Sequence, residues 1–208
     1  MELFIVVFGA LFSVMNPLST VPVFVGLTTD HSRSERAKIA FKTAVNVWVI
    51  LVISYFVGKY ILVFFGISVD SLKIAGGLII ASSGFALLTG KFAEHKGMKK
   101  NKVKTDVQNR EEVSLTPLAI PMIAGPGSIS LLITYNQEST GVNYTLIMMA
   151  AILLSGIMIF LMLRSAHSIV NFLGASGINA LSRIVGFIVI AIGIEFIISA
   201  GINVARLI

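Results

Sequence analysis

The sequence predicts an all-α, polytopic membrane protein of six transmembrane helices in two inverted three-helix repeats, with the first and fourth helices broken at proline. Three observations predict it. The 208 residues are 56% hydrophobic and only 12% charged, whereas soluble domains run at about 45–50% and about 25%. The apolar residues gather in six runs, each near the roughly 20 residues that cross a bilayer. The chain also resembles itself when displaced by 109 residues.

Residues 3–27 hold no charge and form the first span. The start of the chain has neither a basic flank nor a small-residue cleavage site, so this run reads as a permanent span rather than a cleaved leader. A polar turn at 28–36 leads to the second span, 39–65, whose Lys42 and Lys59 stand near its ends, within reach of headgroups. Gly66-Ile67-Ser68-Val69-Asp70 is a tight turn into the third span, 72–90. Residues 91–112 are the one strongly hydrophilic segment and read as a solvated basic loop. The fourth span, 113–137, closes on turn-forming residues at 136–141. The fifth covers 144–170, and 174–179 leads to the last, 181–204. The expected plan is therefore one transmembrane domain, 1–208, with repeats at 1–90 and 113–208 joined by the loop 91–112.

Charge gives the orientation. Of 16 lysines and arginines, only Lys59, Lys73 and Arg206 fall outside the first, third and fifth connections. Those three connections are expected to be cytoplasmic, with both chain ends outside, in a cell (inner) membrane. The net charge of +6 is then a topological bias, and no nucleic-acid partner is implied. With no cysteine, disulfides, thiolate nucleophiles and cysteine metal sites are excluded. His31, His95 and His167 sit in loops or at helix ends, no two carboxylates share a span, and Ser128 has no basic residue at its depth. Hence no enzyme, metal or cofactor is expected.

The displacement by 109 places Pro17 on Pro126, Ser19 on Ser128, Leu72 on Leu181, Gly77 on Gly186, Ile79 on Ile188 and Gly84 on Gly193 without a gap. Three spans per half is an odd number, so the second half enters from the opposite side, as in secondary transporters with inverted repeats. The recurrent glycines of the third and sixth spans fit close helix packing. Asn46 and Ser155, matched by the same displacement, are candidates for an interhelical hydrogen bond.

Both repeats interrupt their first helix. In Asn16-Pro17-Leu18-Ser19-Thr20-Val21-Pro22, Pro17 deprives the Ser13 carbonyl of its partner and Pro22 that of Leu18. Pro121-Met122-Ile123-Ala124-Gly125-Pro126-Gly127-Ser128-Ile129 repeats the interruption with flanking glycines. Irregular backbone at membrane depth must face protein or a wet cavity, and half-helix ends offer dipoles of both signs. A zwitterionic amino acid carries the complementary charges. Asn16, Pro17, Ser19, Thr20, Gly125, Pro126, Gly127 and Ser128 are accordingly the candidate substrate-binding residues, the glycines giving a ligand room to approach the backbone. Each hydroxyl could instead cap its own helix.

Glu195 is the one acid in the middle of an apolar run. An intramembrane carboxylate costs about 2.5 kcal/mol or more, so Glu195 is the coupling candidate. Binding a substrate ammonium and pairing across a helix interface are the alternatives. Arg183 is twelve residues away, about 18 Å along a helix, too far to pair with Glu195 within it.

At Asn16-Pro17 with Pro22, at Ala124-Gly125-Pro126-Gly127-Ser128-Ile129, at Leu72-Lys73-Ile74-Ala75-Gly76-Gly77 and at Leu181-Ser182-Arg183-Ile184-Val185-Gly186, the sequence resembles the MarC family of integral membrane proteins over essentially its whole length. That family includes SnatA-type transporters of small neutral amino acids. The resemblance implies transport of glycine- or alanine-like substrates by alternating access, with proton or cation coupling, through Asn16, Pro17, Pro22, Gly125, Pro126, Gly127 and Ser128. It implies nothing about Glu195, which departs from the amide usual there. The alternatives are a channel or exporter of another small solute, and a structural or regulatory membrane subunit. The expected partners are an amino acid substrate and the lipid bilayer, and the oligomeric state is left open.

Overall fold

The computed structural model of the chain describes residues 2–28, 31–90, 118–119, 122–138 and 141–206, and every regular element among them is helical. The basic loop 91–112 lies outside the described residues, as do Pro121 and His95.

Helix α1 (Glu2–Met15) stops at Asn16, and α2 (Pro17–Leu27) continues at an angle of 41°. Helix α3 (Arg33–Phe65) begins six residues before the second apolar run because its cap, not its hydropathy, decides its start. Ser32 Oγ accepts from the Glu35 N–H at 3.3 Å while the Ser32 N–H donates to Glu35 Oε2 at 2.8 Å, a reciprocal capping box. Its 33 residues measure about 50 Å at 1.5 Å per residue, against a hydrocarbon core of about 30 Å, so the charged first turns stand clear of it. Gly66, at φ 65°, ends the helix in the left-handed region, and Ser68 caps α4 (Val69–Leu88) by accepting from the Ser71 N–H.

The second half departs more from the expected boundaries. Of the span expected at 113–137, the described part is a π-type turn at 118–119 and 122–123 followed by α5 (Pro126–Glu138), which runs through Asn136 and Gln137. Helix α6 (Val142–Arg164) ends six residues early, at Ser165. Helix α7 (Ala166–Ala205) is interrupted by a kink at Gly174, at φ 64° and ψ 171°, the first residue of the turn expected at 174–179, and is helical again after it. Glycine reaches that backbone region without steric cost, so one residue is enough to turn the chain.

By length and hydropathy, α3, α4, α6 and the Ser176–Ala205 part of α7 can each cross a membrane, and the bent pair α1–α2 adds a fifth crossing if it is one span. The side-chain distribution agrees with a lipid setting. Phe64, Val63 and Phe172 are more than 80% exposed, while Asn16, Thr20, Thr43, Ser128, Thr134 and Ser155 are all at most 1% exposed. Such a pattern is inside-out for water.

The most extensive helix pairing is α4 with α7. It is built on glycine: a Cβ placed on Gly77 would lie 2.5 Å from the Gly193 carbonyl oxygen, and one on Gly84 would lie 2.7 Å from that of Gly186. Backbone lies against backbone, as small residues permit in lipid. Around this pair, α3 packs on α6, α2 on α7, α5 on α4 and on α3, and α1 on α6.

Candidate functional site: two helix breaks in contact

Asn16 is the one described non-glycine residue with positive φ, at φ 40° and ψ 65°. Asparagine is among the few side chains that visit this region. The α1 ladder persists as far as the Asn16 N–H, which donates to the Phe12 carbonyl at 2.9 Å. Pro17 then stands at the first position of α2, where no N–H is needed. The interruption expected at Pro17 is therefore a bend at Asn16. That expected at Pro22 does not occur: Pro22 lies inside an unbroken α2, between the fully buried Val21 and Phe24.

The second break has its own local chemistry. The Ala124 N–H donates to the Ala119 carbonyl at 2.8 Å, a widened turn, and Gly125 is the irregular residue before Pro126 opens α5. The Gly125 carbonyl accepts from the Ile129 N–H at 3.2 Å and from Ser128 Oγ at 2.9 Å. Ser128 thus caps its own helix, the local role open to it from the sequence. The irregular residues, 16 and 125, are 109 positions apart.

The two breaks touch. A Cβ on Gly127 would lie 2.9 Å from Ile80 Cγ1 and 3.2 Å from Val14 Cγ1. Val14 precedes the first break by two residues and Gly127 follows the second by two. Gly127 is thus not an opening for a ligand; its missing side chain is the space that Val14 and Ile80 occupy. Gly125 is buried beside it, whereas Pro126 is exposed.

Polar groups gather on the side of the first break. Asn16 Nδ2 donates to Ser19 Oγ at 2.7 Å, and Ser19 Oγ donates to Ser182 Oγ at 2.9 Å, linking the break to α7 next to Arg183. Asn16 Oδ1 and Thr20 Oγ1 are buried without a hydrogen-bond partner. A buried polar atom left unpaired costs about 1–3 kcal/mol, and two of them stand within one turn here. Thr43, Thr134 and Ser155 also bury unpartnered hydroxyls. The bond expected between Asn46 and Ser155 is therefore absent, with Asn46 only half-buried on α3. Thr43 and Thr134 went unnoticed in the sequence, although each is a hydroxyl within a helical run.

Glu195 is not enclosed by the bundle. It is exposed on α7 and lines a crevice of about 560 Å³ against α1, with Ile5, Val6, Ser13, Tyr135 and Phe196 among its neighbours. Ser13, one turn before Asn16, also lines that crevice. Among the described residues the buried charged side chain is instead Lys73, 5% exposed, whose Nζ lies 3.5 Å from Ser199 Oγ across the α4–α7 pair. Among the described residues no cluster of three or more His, Asp or Glu could hold a metal ion.

Such an arrangement, apolar helices around a buried polar break, defines a polytopic integral membrane protein. The sequence profile described as "MarC family integral membrane protein" matches residues 1–205. The chain belongs to the MarC family. It is 37% identical over 192 residues to the UPF0056 membrane protein YhcE of Escherichia coli K12, covering 92% of this chain and 88% of that one. It is 35% identical over 199 residues to a UPF0056 membrane protein of Methanocaldococcus jannaschii, covering 96% of each. It is 33% identical over 202 residues to the UPF0056 inner membrane protein MarC of an Escherichia coli O6:H1 strain, covering 92% of this chain and 90% of that one. No solved structure matches the chain.

Proposed function

We propose that the chain is a secondary transporter of small neutral amino acids of the glycine or alanine type, working by alternating access in the cell's inner membrane. The observation that carries this reading is the contact between two helix breaks 109 residues apart, with Asn16 Oδ1 and Thr20 Oγ1 buried and unpaired beside them. A half-helix starting at Pro17 presents N–H groups and a positive dipole end to a carboxylate. The carbonyl end of α1 and the two free oxygens suit an ammonium. Val14 and Ile80 fill the space beside Gly127, which leaves little room at the breaks and favours substrates with little or no side chain.

The same reading takes the fold as six spans in two inverted halves, the residues from 113 completing the fourth span with α5. Its support is the pairing of helices. Displacement by 109 turns the contact of Gly77 with Gly193 into that of Gly186 with Gly84, and α2 lies on α7 as α5 lies on α4. Rocking of one half against the other would open the breaks to each side in turn. Glu195, which lines the same crevice as Ser13, is the proposed coupling group.

Purified protein in liposomes is expected to take up labelled glycine or alanine with saturation and to show counterflow. Gly125→Leu, which fills the second break, should remove both. Glu195→Gln should keep counterflow while losing accumulation driven by a proton gradient. Absence of flux for every small neutral amino acid overturns the proposal.

A further inference from the structure

Outside the breaks, α3 and α6 enclose an apolar groove of about 320 Å³ lined by Phe41, Val45, Trp48, Gly156, Ile157 and Phe160 among others. Gly156 forms its floor: a Cβ there would meet Trp48 Cβ at 3.5 Å, so any larger side chain would fill the cleft. Phe41 and Phe160 close one end in an edge-to-face contact with ring centroids 5.9 Å apart.

That end carries positive charge. The Arg164 guanidinium lies over the Phe160 ring, 5.7 Å from its centroid. Lys42 is exposed beside Phe41 and three residues before Val45, and Lys38 is exposed one turn earlier on the same helical stripe. Phe41 meets Phe160 while Trp48 meets Gly156, so the two helices run antiparallel. The start of α3 and the end of α6 therefore share one membrane surface. Among the described residues there, the acid of the first stretch of α3, Glu35, is engaged in the Ser32 cap, and the other titratable groups, Arg36 and His167, add no negative charge.

We infer that this groove is a binding site for an anionic phospholipid, one acyl chain lying against Trp48 and Gly156 and the headgroup phosphate held by Lys42 and Arg164. The groove takes hydrocarbon and the rim takes the phosphate. Long cationic side chains at a helix end reach the headgroup layer, and basic pockets between spans at the membrane surface are suited to anionic headgroups. A zwitterionic lipid satisfies the groove but gains little at the rim.

Trp48 is the single tryptophan of the chain, so its fluorescence reports on this groove alone. The full-length protein is reconstituted in mixed phosphatidylcholine and phosphatidylglycerol vesicles in which one or the other lipid carries brominated acyl chains. Brominated phosphatidylglycerol should quench Trp48 at a lower mole fraction than brominated phosphatidylcholine, with a preference of about fivefold for each cation. Lys42→Gln with Arg164→Gln should equalise the two lipids, and Lys59→Gln, at the far end of α3, should not. In the unaltered chain about 1 M salt should reduce the preference, an arm that needs no substitution to fold. Equal quenching by both lipids overturns the inference, as does a preference that survives the double substitution or 1 M salt, or one lost equally in Lys59→Gln. Absence of quenching by either lipid also overturns it, since a second copy of the chain would then cover the groove.

Discussion

Asn16 combines two properties that substitution can separate. Its backbone occupies the left-handed region, and its side chain supplies one bond to Ser19 and one unpaired buried oxygen. Glycine keeps the backbone and deletes the side chain, so Asn16→Gly should leave the melting temperature in detergent nearly unchanged. Under the proposed function it should still cost transport at least about tenfold, the loss of one hydrogen bond to a charged group. Alanine has neither the backbone freedom nor the side chain, and Asn16→Ala should lose about 1–2 kcal/mol of stability as well. Equal stability of the two variants would show that the bend at Asn16 is relaxed in solution. A second residue-scale effect concerns His167, at the start of α7 outside the spans. Burial first, and the Arg36 guanidinium second, lower its pKa below the ordinary 6.5. The folded chain then binds fewer protons at this site than the unfolded chain, so the stabilisation is complete above pH 6.5 and is lost as pH falls through the lowered value. His167→Gln should flatten the fall in melting temperature between about pH 7 and pH 5, and an unchanged profile would assign that fall to other groups.

Among the elements, the α4–α7 pair is the one whose stability rests on missing side chains. A Cβ on Gly193 would lie 2.6 Å from both the Ala81 nitrogen and the Gly77 carbonyl oxygen, and backbone cannot yield as a side chain can. Gly193→Ala should therefore force the helices apart and lower the melting temperature by several degrees. Gly201→Ala, on the same helix with nothing within 4 Å, should be neutral or stabilising by up to about 1 kcal/mol. Thermal scans of the two variants in one detergent make the comparison, and equal effects would mean the helices are not in backbone contact. Hydropathy located α3, α4, α6 and the membrane part of α7, because a span must supply an unbroken apolar stretch. The ends were not legible from it. Ser32 and Glu35 start α3 by hydrogen bonding, and Gly174 alone makes the kink that six turn-like residues suggested. The break at Asn16-Pro17 was legible because proline marks where a helix ladder can stop, although Pro22, read the same way, leaves α2 unbroken. The direction of Glu195 was not, since every face of a helix between lipid and protein is apolar in composition, and only packing tells the two apart. The same blindness to azimuth hid Thr43 and Thr134, whose hydroxyls look identical in sequence whether they face a neighbour or their own turn.

For the molecule as a whole, the question of five or six crossings decides whether the halves are inverted, and it has a parity. Four helices account for four crossings by length and hydropathy, and the bent α1–α2 pair for a fifth when it is taken as one span, as in the proposed fold; α5, at 13 residues, spans about 20 Å and cannot cross alone. If the residues from 113 complete a sixth crossing, Glu2 and Arg206 lie on the same side of the membrane. If they form a hairpin that enters and leaves on one side, the two ends lie on opposite sides. The chain has no cysteine, so Glu2→Cys and Arg206→Cys can each be read without background by an impermeant maleimide. Both are expected to react from outside intact cells, and Ser32→Cys only after the cells are opened, because the basic connections are retained within. Opposite sidedness of the two ends would remove the inverted repeat. It would also remove the reason for expecting the breaks at Asn16 and Gly125 to exchange roles during transport, while leaving their contact in place. Ends that share a side but react only in opened cells would keep the repeat and reverse the orientation, which would place the crevice of Glu195 under the opposite proton concentration. Parity and polarity are thus separate measurements, and only the first bears on whether one half can rock against the other.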